Sequence, residues 1–239
     1  MFGEFSRGQF MAAASGVVSR SLTGDYSFST RASIADSRRN DSAAVPFRFE
    51  LQKFQAALNR PYAHRQVMVA TSLSRAHRGL GYLENMLSAY SDPYGFDAAT
   101  GSVHVSAVFY GGDSFLLSLD DDAYRKYPLA SFLQAEDPRD RGPYSQAAAD
   151  VPWNISADRY RALAERRAAT FFVCNNSLSA AAWTIANNMK PRGASVSREL
   201  VVIIHADLVK HFLPGTMLVP AGVAALNAIL EAGYTLLPE

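Results

Sequence analysis

The single cysteine of this 239-residue chain, Cys174, is the side chain best suited to nucleophilic chemistry. It ends a run of β-branched and aromatic residues and precedes a helical pattern in which Asn175, Asn176 or Ser177 could be the cap. Such a position faces the crevice in which open parallel sheets bind ligands, and the amino end of the helix favours the reactive thiolate. The position therefore predicts a reactive thiol. The alternative is a small buried hydrophobe at the end of a strand.

Two further groups of polar and glycine residues are expected at the same edge of the sheet, because each follows a predicted strand. They are Ser74, Arg75 and His77 after the first strand, and Gly111, Gly112 and Asp113 after the second. A glycine pair lets the backbone approach a ligand closely, and the start of a helix favours an anion. With Asn175 and Asn176, these residues predict a small anionic site beside Cys174. Two tight turns that bind nothing are the alternative, and the glycines match no nucleotide-binding fingerprint.

The histidines provide weaker signals. His205 and His211 lie in one helical segment with Asp207, but their spacing does not put all three on a common face. A metal-dependent enzyme that uses His77, His104 or His205 is therefore the weakest hypothesis, and neither a metal site nor a cofactor is predicted.

The composition is that of an ordinary globular protein of 26.0 kDa, with 49% hydrophobic and 19% charged residues. The 23 basic and 22 acidic residues nearly balance, which argues against a nucleic-acid-binding protein. One cysteine excludes an intrachain disulfide and a cysteine-rich metal site. No segment is long and apolar enough to predict a membrane span.

Alternating strand and helix patterns position these residues. Strands are predicted at 66–71, 103–110, 169–173, 216–219 and 234–237, and helices at 47–58, 79–89, 114–127, 156–167, 177–189, 199–211 and 221–232. Such alternation predicts an α/β fold with a mostly parallel sheet and helices on both faces. The polar, proline-containing stretch 128–153 is interpreted as a surface insertion.

Residues 1–45 differ from the remainder of the chain and are predicted to be a signal-like or disordered segment. Ser6-Arg7-Gly8-Gln9-Phe10-Met11 precedes a short run of small and apolar residues, which resembles a twin-arginine export signal with Gly8 in place of the second arginine. The protein is expected to be periplasmic if this signal works and cytoplasmic otherwise. Residues 46–239 are predicted to form one domain.

The carboxyl half contains the pattern F-x-V-C-N-x-x-L, then P-G-x-x-x-V-P-A-G-V, then G-Y, at residues 171–178, 214–223 and 233–234. This pattern resembles the DsrE/DsrF-like family, and the chain looks closest to its larger, poorly characterised members with twin-arginine-type signals. The resemblance covers about residues 65–238. It implies a three-layer α/β/α sandwich around a parallel sheet of about five strands, and a homo-oligomer, commonly a trimer or hexamer. The 128–153 insertion departs from the short sulfur-relay members.

The resemblance also implies a chemistry, because in the sulfur-relay members a cysteine accepts a persulfide sulfur and passes it on. Cys174 occupies the place of such a cysteine. The leading hypothesis is therefore a persulfide carrier without a cofactor, which would exchange sulfur with a donor or acceptor protein. The alternative is a non-catalytic oligomeric domain that binds a small anion or a protein partner at the edge of the sheet.

Overall fold

The computed structural model of the protein describes residues 44–59, 61–91, 103–133, 135, 154–165 and 169–237. Most of the signal-like segment and of the 128–153 insertion, both interpreted above from sequence, lies outside these residues. The elements in chain order are α1 (Leu51–Leu58), β1 (His64–Ala70), α2 (Leu73–Ser91), β2 (Val103–Phe109), a 3-10 helix (Ser114–Ser118), α3 (Asp121–Lys126), α4 (Leu129–Phe132), α5 (Ala157–Glu165), β3 (Ala169–Cys174), α6 (Asn175–Met189), α7 (Arg198–Lys210), β4 (Thr216–Val219), α8 (Gly222–Glu231) and β5 (Thr235–Leu236).

The five strands form one parallel sheet in the order β4-β3-β2-β1-β5. One row of paired residues, Val69–Val108–Phe172–Met217, crosses four of the strands near their carboxyl ends. Strands β2 and β3 are buried along their whole length, as expected where helices cover both faces of a parallel sheet. The predicted α/β sandwich is confirmed.

Two hydrophobic clusters fill the spaces above and below the sheet. The first contains Phe171 and Val173 of β3 with apolar side chains of α2, the 3-10 helix, α5, α6 and α7. The second contains Phe172 of β3 with side chains of α1 and α8. Side chains alternate between faces along a strand, so Cys174 lies on the same face as Phe172. We call the face covered by the first cluster the first face, and the face covered by the second cluster the second face.

The order of the strands places Cys174 at a switch point in the direction of the connections. The connections from β1 through β4 step along the sheet in one direction and place their helices on the first face. The connection from β4 to β5 returns in the opposite direction, with α8 on the second face, as the right-handed rule for such crossovers requires. The chain therefore leaves the adjacent strands β3 and β4 toward opposite faces. Parallel sheets bind ligands at such a switch point.

Several element boundaries differ from the sequence predictions; for example, α1 begins at Leu51 rather than at residue 47. Helix α2 begins at Leu73 rather than Gly79, so the residues expected in a loop after the first strand form its first turns. Asp113 caps the helix by accepting from the Leu73 N–H (3.0 Å). The predicted helix 114–127 is divided, because Asp120 caps a new helix by accepting from the N–H of Ala123 (2.9 Å). Part of the predicted insertion is helical, at Leu129–Phe132. None of the helices described is both long and apolar enough to cross a membrane.

Candidate functional site

Cys174 is the last residue of β3 and also the N-cap of α6, so no loop separates the strand from the helix. Its backbone is extended (φ −72°, ψ 120°), and 5% of the residue is exposed. The side chain of this N-cap accepts no hydrogen bond from the first-turn N–H groups of α6. The helix begins two residues earlier than predicted, and its cap is Cys174 itself, so the prediction of Asn175, Asn176 or Ser177 as the cap is wrong.

The amino end of α8 packs directly against Cys174. A Cβ atom placed on Gly222, the first residue of α8, would lie 3.3 Å from Cβ of Cys174 and 2.4 Å from Cβ of Tyr110. Only glycine allows this approach without displacing a neighbour. The N-cap of α8 is Ala221, which has no polar side chain to bond the free N–H groups of the helix. Cys174 is therefore flanked by the amino ends of two helices, both of which favour a negative charge.

The structure brings the two predicted loops together at this edge of the sheet, but they bind each other. The carboxylate of Asp113 accepts from the N–H of Leu73 (3.0 Å), and the N–H of Gly111 donates to the hydroxyl of Ser177 (2.7 Å). A Cβ on Gly112 would lie 2.8 Å from the carbonyl oxygen of Thr71, so this glycine, with φ +45°, is needed for contact between the loops. Two N–H groups at this edge, those of Leu73 and Gly111, are therefore used within the protein.

The three residues predicted on the first loop lie in the first turns of α2. Ser74 is buried, with its hydroxyl 3.2 Å from that of Ser72, and Arg75 is exposed. His77 Nδ1 lies 2.6 Å from the hydroxyl of Ser156, just before α5. Both α2 and α5 cover the first face, whereas the Cys174 side chain belongs to the second. The structure therefore places His77 across the sheet from the thiol.

Asn175 and Asn176 have different environments. Asn175 is buried; its side-chain NH2 donates to the carbonyl of Val45 (3.0 Å), and its oxygen lies 2.7 Å from Nε2 of His205. Because the amide oxygen is the acceptor, Nε2 of His205 carries the hydrogen. Burial lowers the pKa of His205 from its usual value of 6.5, which keeps the ring neutral. Asn176 is exposed. Asn175 therefore joins α6 to α7 and to the segment before α1.

The three histidines of the metal hypothesis lie in separate environments. His104 is fully buried, with Nε2 3.0 Å from the hydroxyl of Thr170 and Nδ1 2.7 Å from that of Tyr234. His77 and His205 have the partners given above. Across the described ranges, no three metal-ligating side chains are grouped to hold an ion.

A polar cluster that the sequence interpretation missed lies between α3 and the end of α7. The carboxylate of Asp207 accepts from the Tyr127 hydroxyl (2.8 Å), pairs with Lys126 (2.7 Å) and lies 3.9 Å from Nε2 of His211, which also pairs with Asp120. Partial burial acts to raise the pKa of Asp207, but the hydrogen bonds and positive charges of Lys126 and its neighbours lower it overall. The i, i+4 spacing of Asp207 and His211 is the signal that could have revealed this contact.

The residues that meet around the thiol are thus Cys174, Tyr110 and Gly222, with Gly111 and Ser177 linked beside them. Tyr110 precedes the predicted site residue Gly111, and Gly222 lies within the P-G-x-x-x-V-P-A-G-V pattern, but neither carries a signal for this contact by its type. In comparisons with protein-family models, curated proteins and solved structures, nothing matches this chain. Membership of the DsrE/DsrF-like family stays a prediction from the sequence pattern.

Proposed function

We propose that this protein is a DsrE/DsrF-like persulfide carrier that holds sulfur on Cys174. The observation that supports the proposal best is the position of the thiol at the switch point of the sheet, between the amino ends of α6 and α8. A cysteine thiolate and a cysteine persulfide are both anionic forms, and two helix amino ends favour both of them.

The sulfur transfer needs no cofactor. The Cys174 thiolate attacks the outer sulfur of a donor persulfide, R–S–SH; a new S–S bond forms at Cys174, the donor S–S bond breaks, and the donor leaves as the thiolate R–S⁻. An acceptor thiolate then attacks the outer sulfur on Cys174 and releases the Cys174 thiolate. Each step exchanges one S–S bond for another, so there is no net oxidation. A chain with one cysteine cannot resolve the persulfide into an intrachain disulfide, which suits a carrier.

The low exposure of Cys174 fits this role. Only 5% of the residue is exposed, and Tyr110 and Gly222 pack close to its Cβ on the second face. Burial of this kind slows, without preventing, attack by small oxidants and thiols, so a bound sulfur would persist longer than one on a surface cysteine.

The test is sulfur loading followed by intact mass measurement. The full-length protein is incubated with inorganic polysulfide, desalted and weighed, with Cys174→Ser as the matched control. We expect wild type to gain one sulfur atom, which dithiothreitol removes, and the variant to gain none. Circular dichroism and thermal unfolding establish that the variant is folded. A folded wild type that gains no sulfur, or a variant that gains as much, would refute the carrier role.

The second candidate is the non-catalytic oligomeric domain, as a trimer or hexamer that binds a small anion or a protein partner. The loop contacts argue against the anion, because the N–H groups of Leu73 and Gly111 already have acceptors and Asp113 adds negative charge. Partner binding has support elsewhere on the surface, as the next section describes. Sedimentation velocity on the same preparation tests the oligomer: a monomer at all concentrations would contradict it, whatever the outcome of sulfur loading.

A further inference from the structure

A groove of about 620 Å³ lies beside β4, well within the size range of ligand sites. One wall is the segment 45–50, which has no regular secondary structure, and the other is α7, which contributes Val202, Ala206 and Val209. These three residues are spaced by four and three, so they form one apolar stripe along the helix. Residues of β4 form the floor.

The floor of the groove is an open strand edge. Within the described part of the chain, β4 pairs with β3 and with no other strand. The N–H of Phe171 donates to the carbonyl of Gly215 (3.2 Å), and the main-chain groups of successive residues in a parallel ladder point to alternate sides. This register directs the N–H and C=O of Leu218 away from β3, toward the groove. An extended peptide could pair with them.

A buried histidine supplies a further hydrogen-bonding group. His205 lines the groove and is 3% exposed. Its Nε2 donates to Asn175, so Nδ1 of the neutral ring can accept a hydrogen bond. A ligand N–H or O–H in the groove could donate to this nitrogen.

The rim of the groove carries one positively charged side chain that a ligand could pair with. Arg48 lines the rim and is exposed, and among the residues described it forms no ion pair. The neighbouring Glu50 is already paired with Lys53 (3.0 Å). The complementary ligand group is therefore an acidic side chain placed next to Arg48.

We propose that this groove binds an extended apolar segment of a partner protein, which adds to β4 as a strand and places an acidic residue against Arg48. A second copy of this chain fits less well, because a stable dimer uses about 20–30 residues a side, more than line the groove. The open strand edge calls for main-chain groups, which a small apolar molecule lacks. The site does not involve Cys174, so it is independent of the sulfur carrier.

The test uses the full-length protein and a library of immobilised octapeptides in which Val, Ile, Leu or Phe alternates with Thr, and Asp, Lys or Ser occupies each end. We expect wild type to select peptides with an Asp at one end. Ala206→Arg, which fills the groove from an exposed helix position, should weaken the selected peptide roughly tenfold or more in fluorescence anisotropy. Ile203→Arg is the matched control on the same helix, because Ile203 is exposed and does not line the groove.

Three further measurements make the result decisive. N-methylation of alternate main-chain nitrogens in the selected peptide should abolish binding in one register, because it removes the strand hydrogen bonds and keeps the side chains. Arg48→Glu should change the preferred end residue from Asp to Lys, and Cys174→Ser should bind as wild type does. Absence of any selected peptide, or equal binding to Ala206→Arg, would overturn the proposal. A wild-type dimer that Ala206→Arg dissociates would also overturn it, in favour of a second copy.

Discussion

Replacing Gly222 with alanine tests whether the close packing of α8 on Cys174 and Tyr110 is real. The added methyl carbon would lie 2.4 Å from Cβ of Tyr110, 3.0 Å from its Cγ and 3.3 Å from Cβ of Cys174. Carbon atoms in contact are normally separated by about 3.5–4.0 Å, so the amino end of α8 or the Tyr110 backbone must move by about 1 Å. No rotamer change can relieve the contact, because Cβ atoms do not rotate away from the backbone.

The cost follows from this geometry. Inserting a methyl group into a packed site costs about 1–3 kcal/mol, whereas replacing glycine by alanine restricts the unfolded chain and recovers about 0.4–1 kcal/mol. We therefore expect Gly222→Ala to lower the free energy of unfolding by about 1–2 kcal/mol, or roughly 2–8 °C in Tm for a domain of this size. The displacement should also speed alkylation of Cys174 by iodoacetamide in the native state.

Gly81→Ala is the matched control, because Gly81 lies inside α2 and the nearest atom to an added Cβ is the Arg159 Nη1 at 3.9 Å. This variant should be more stable than wild type by about 0.5–1 kcal/mol, from helix propensity alone. Urea unfolding followed by circular dichroism measures both variants. If Gly222→Ala is as stable as wild type, or gains stability as Gly81→Ala does, the packing of α8 against Cys174 described above is wrong.

Three other predictions concern the polar contacts. Asn175→Ala should lower the free energy of unfolding by about 2 kcal/mol, because it leaves the Val45 carbonyl and His205 unpaired; the exposed Asn176→Ala should change it by less than about 0.5 kcal/mol in the same urea titration. The pKa of His205 is lowered in the folded protein, so the stability that its neutral form contributes is lost as pH falls below about 6.5, by up to about 1.4 kcal/mol per pH unit. His205→Gln should flatten this part of the pH–stability curve. An unchanged slope would contradict the lowered pKa of His205. The pKa of Asp207 is also lowered, so its charge contributes stability at pH values above its usual pKa of 3.8, and this stability is lost as pH falls. Asp207→Asn should therefore lower the free energy of unfolding, measured by thermal unfolding, by about 1 kcal/mol at pH 7 and by less in acid. A loss of the same size at both pH values would refute the contribution of the Asp207 charge.

The order and type of the main elements could be predicted from the sequence because their signals are local. Strand β3 is rich in β-branched and aromatic residues, and α7 has an apolar stripe at helical spacing, so each pattern identifies its element without reference to the others. The boundaries at Leu73 and Asn175 were predicted less well. Asp113, forty residues away in sequence, caps α2, and a strand that passes directly into a helix has no loop residues to mark the change.

The sequence alone determined that one thiol stands at the end of a buried strand in a parallel α/β sheet, since composition and short-range periodicity carry that information. The tertiary structure decided what surrounds that thiol. Tyr110 and Gly222 meet Cys174 because β2, β3 and β4 are neighbours, and their contacts span more than 40 residues of chain. It also decided that the two loops bind each other and that a groove opens beside β4. Contacts between residues distant in sequence depend on strand order and on the face each helix covers, which no local pattern encodes.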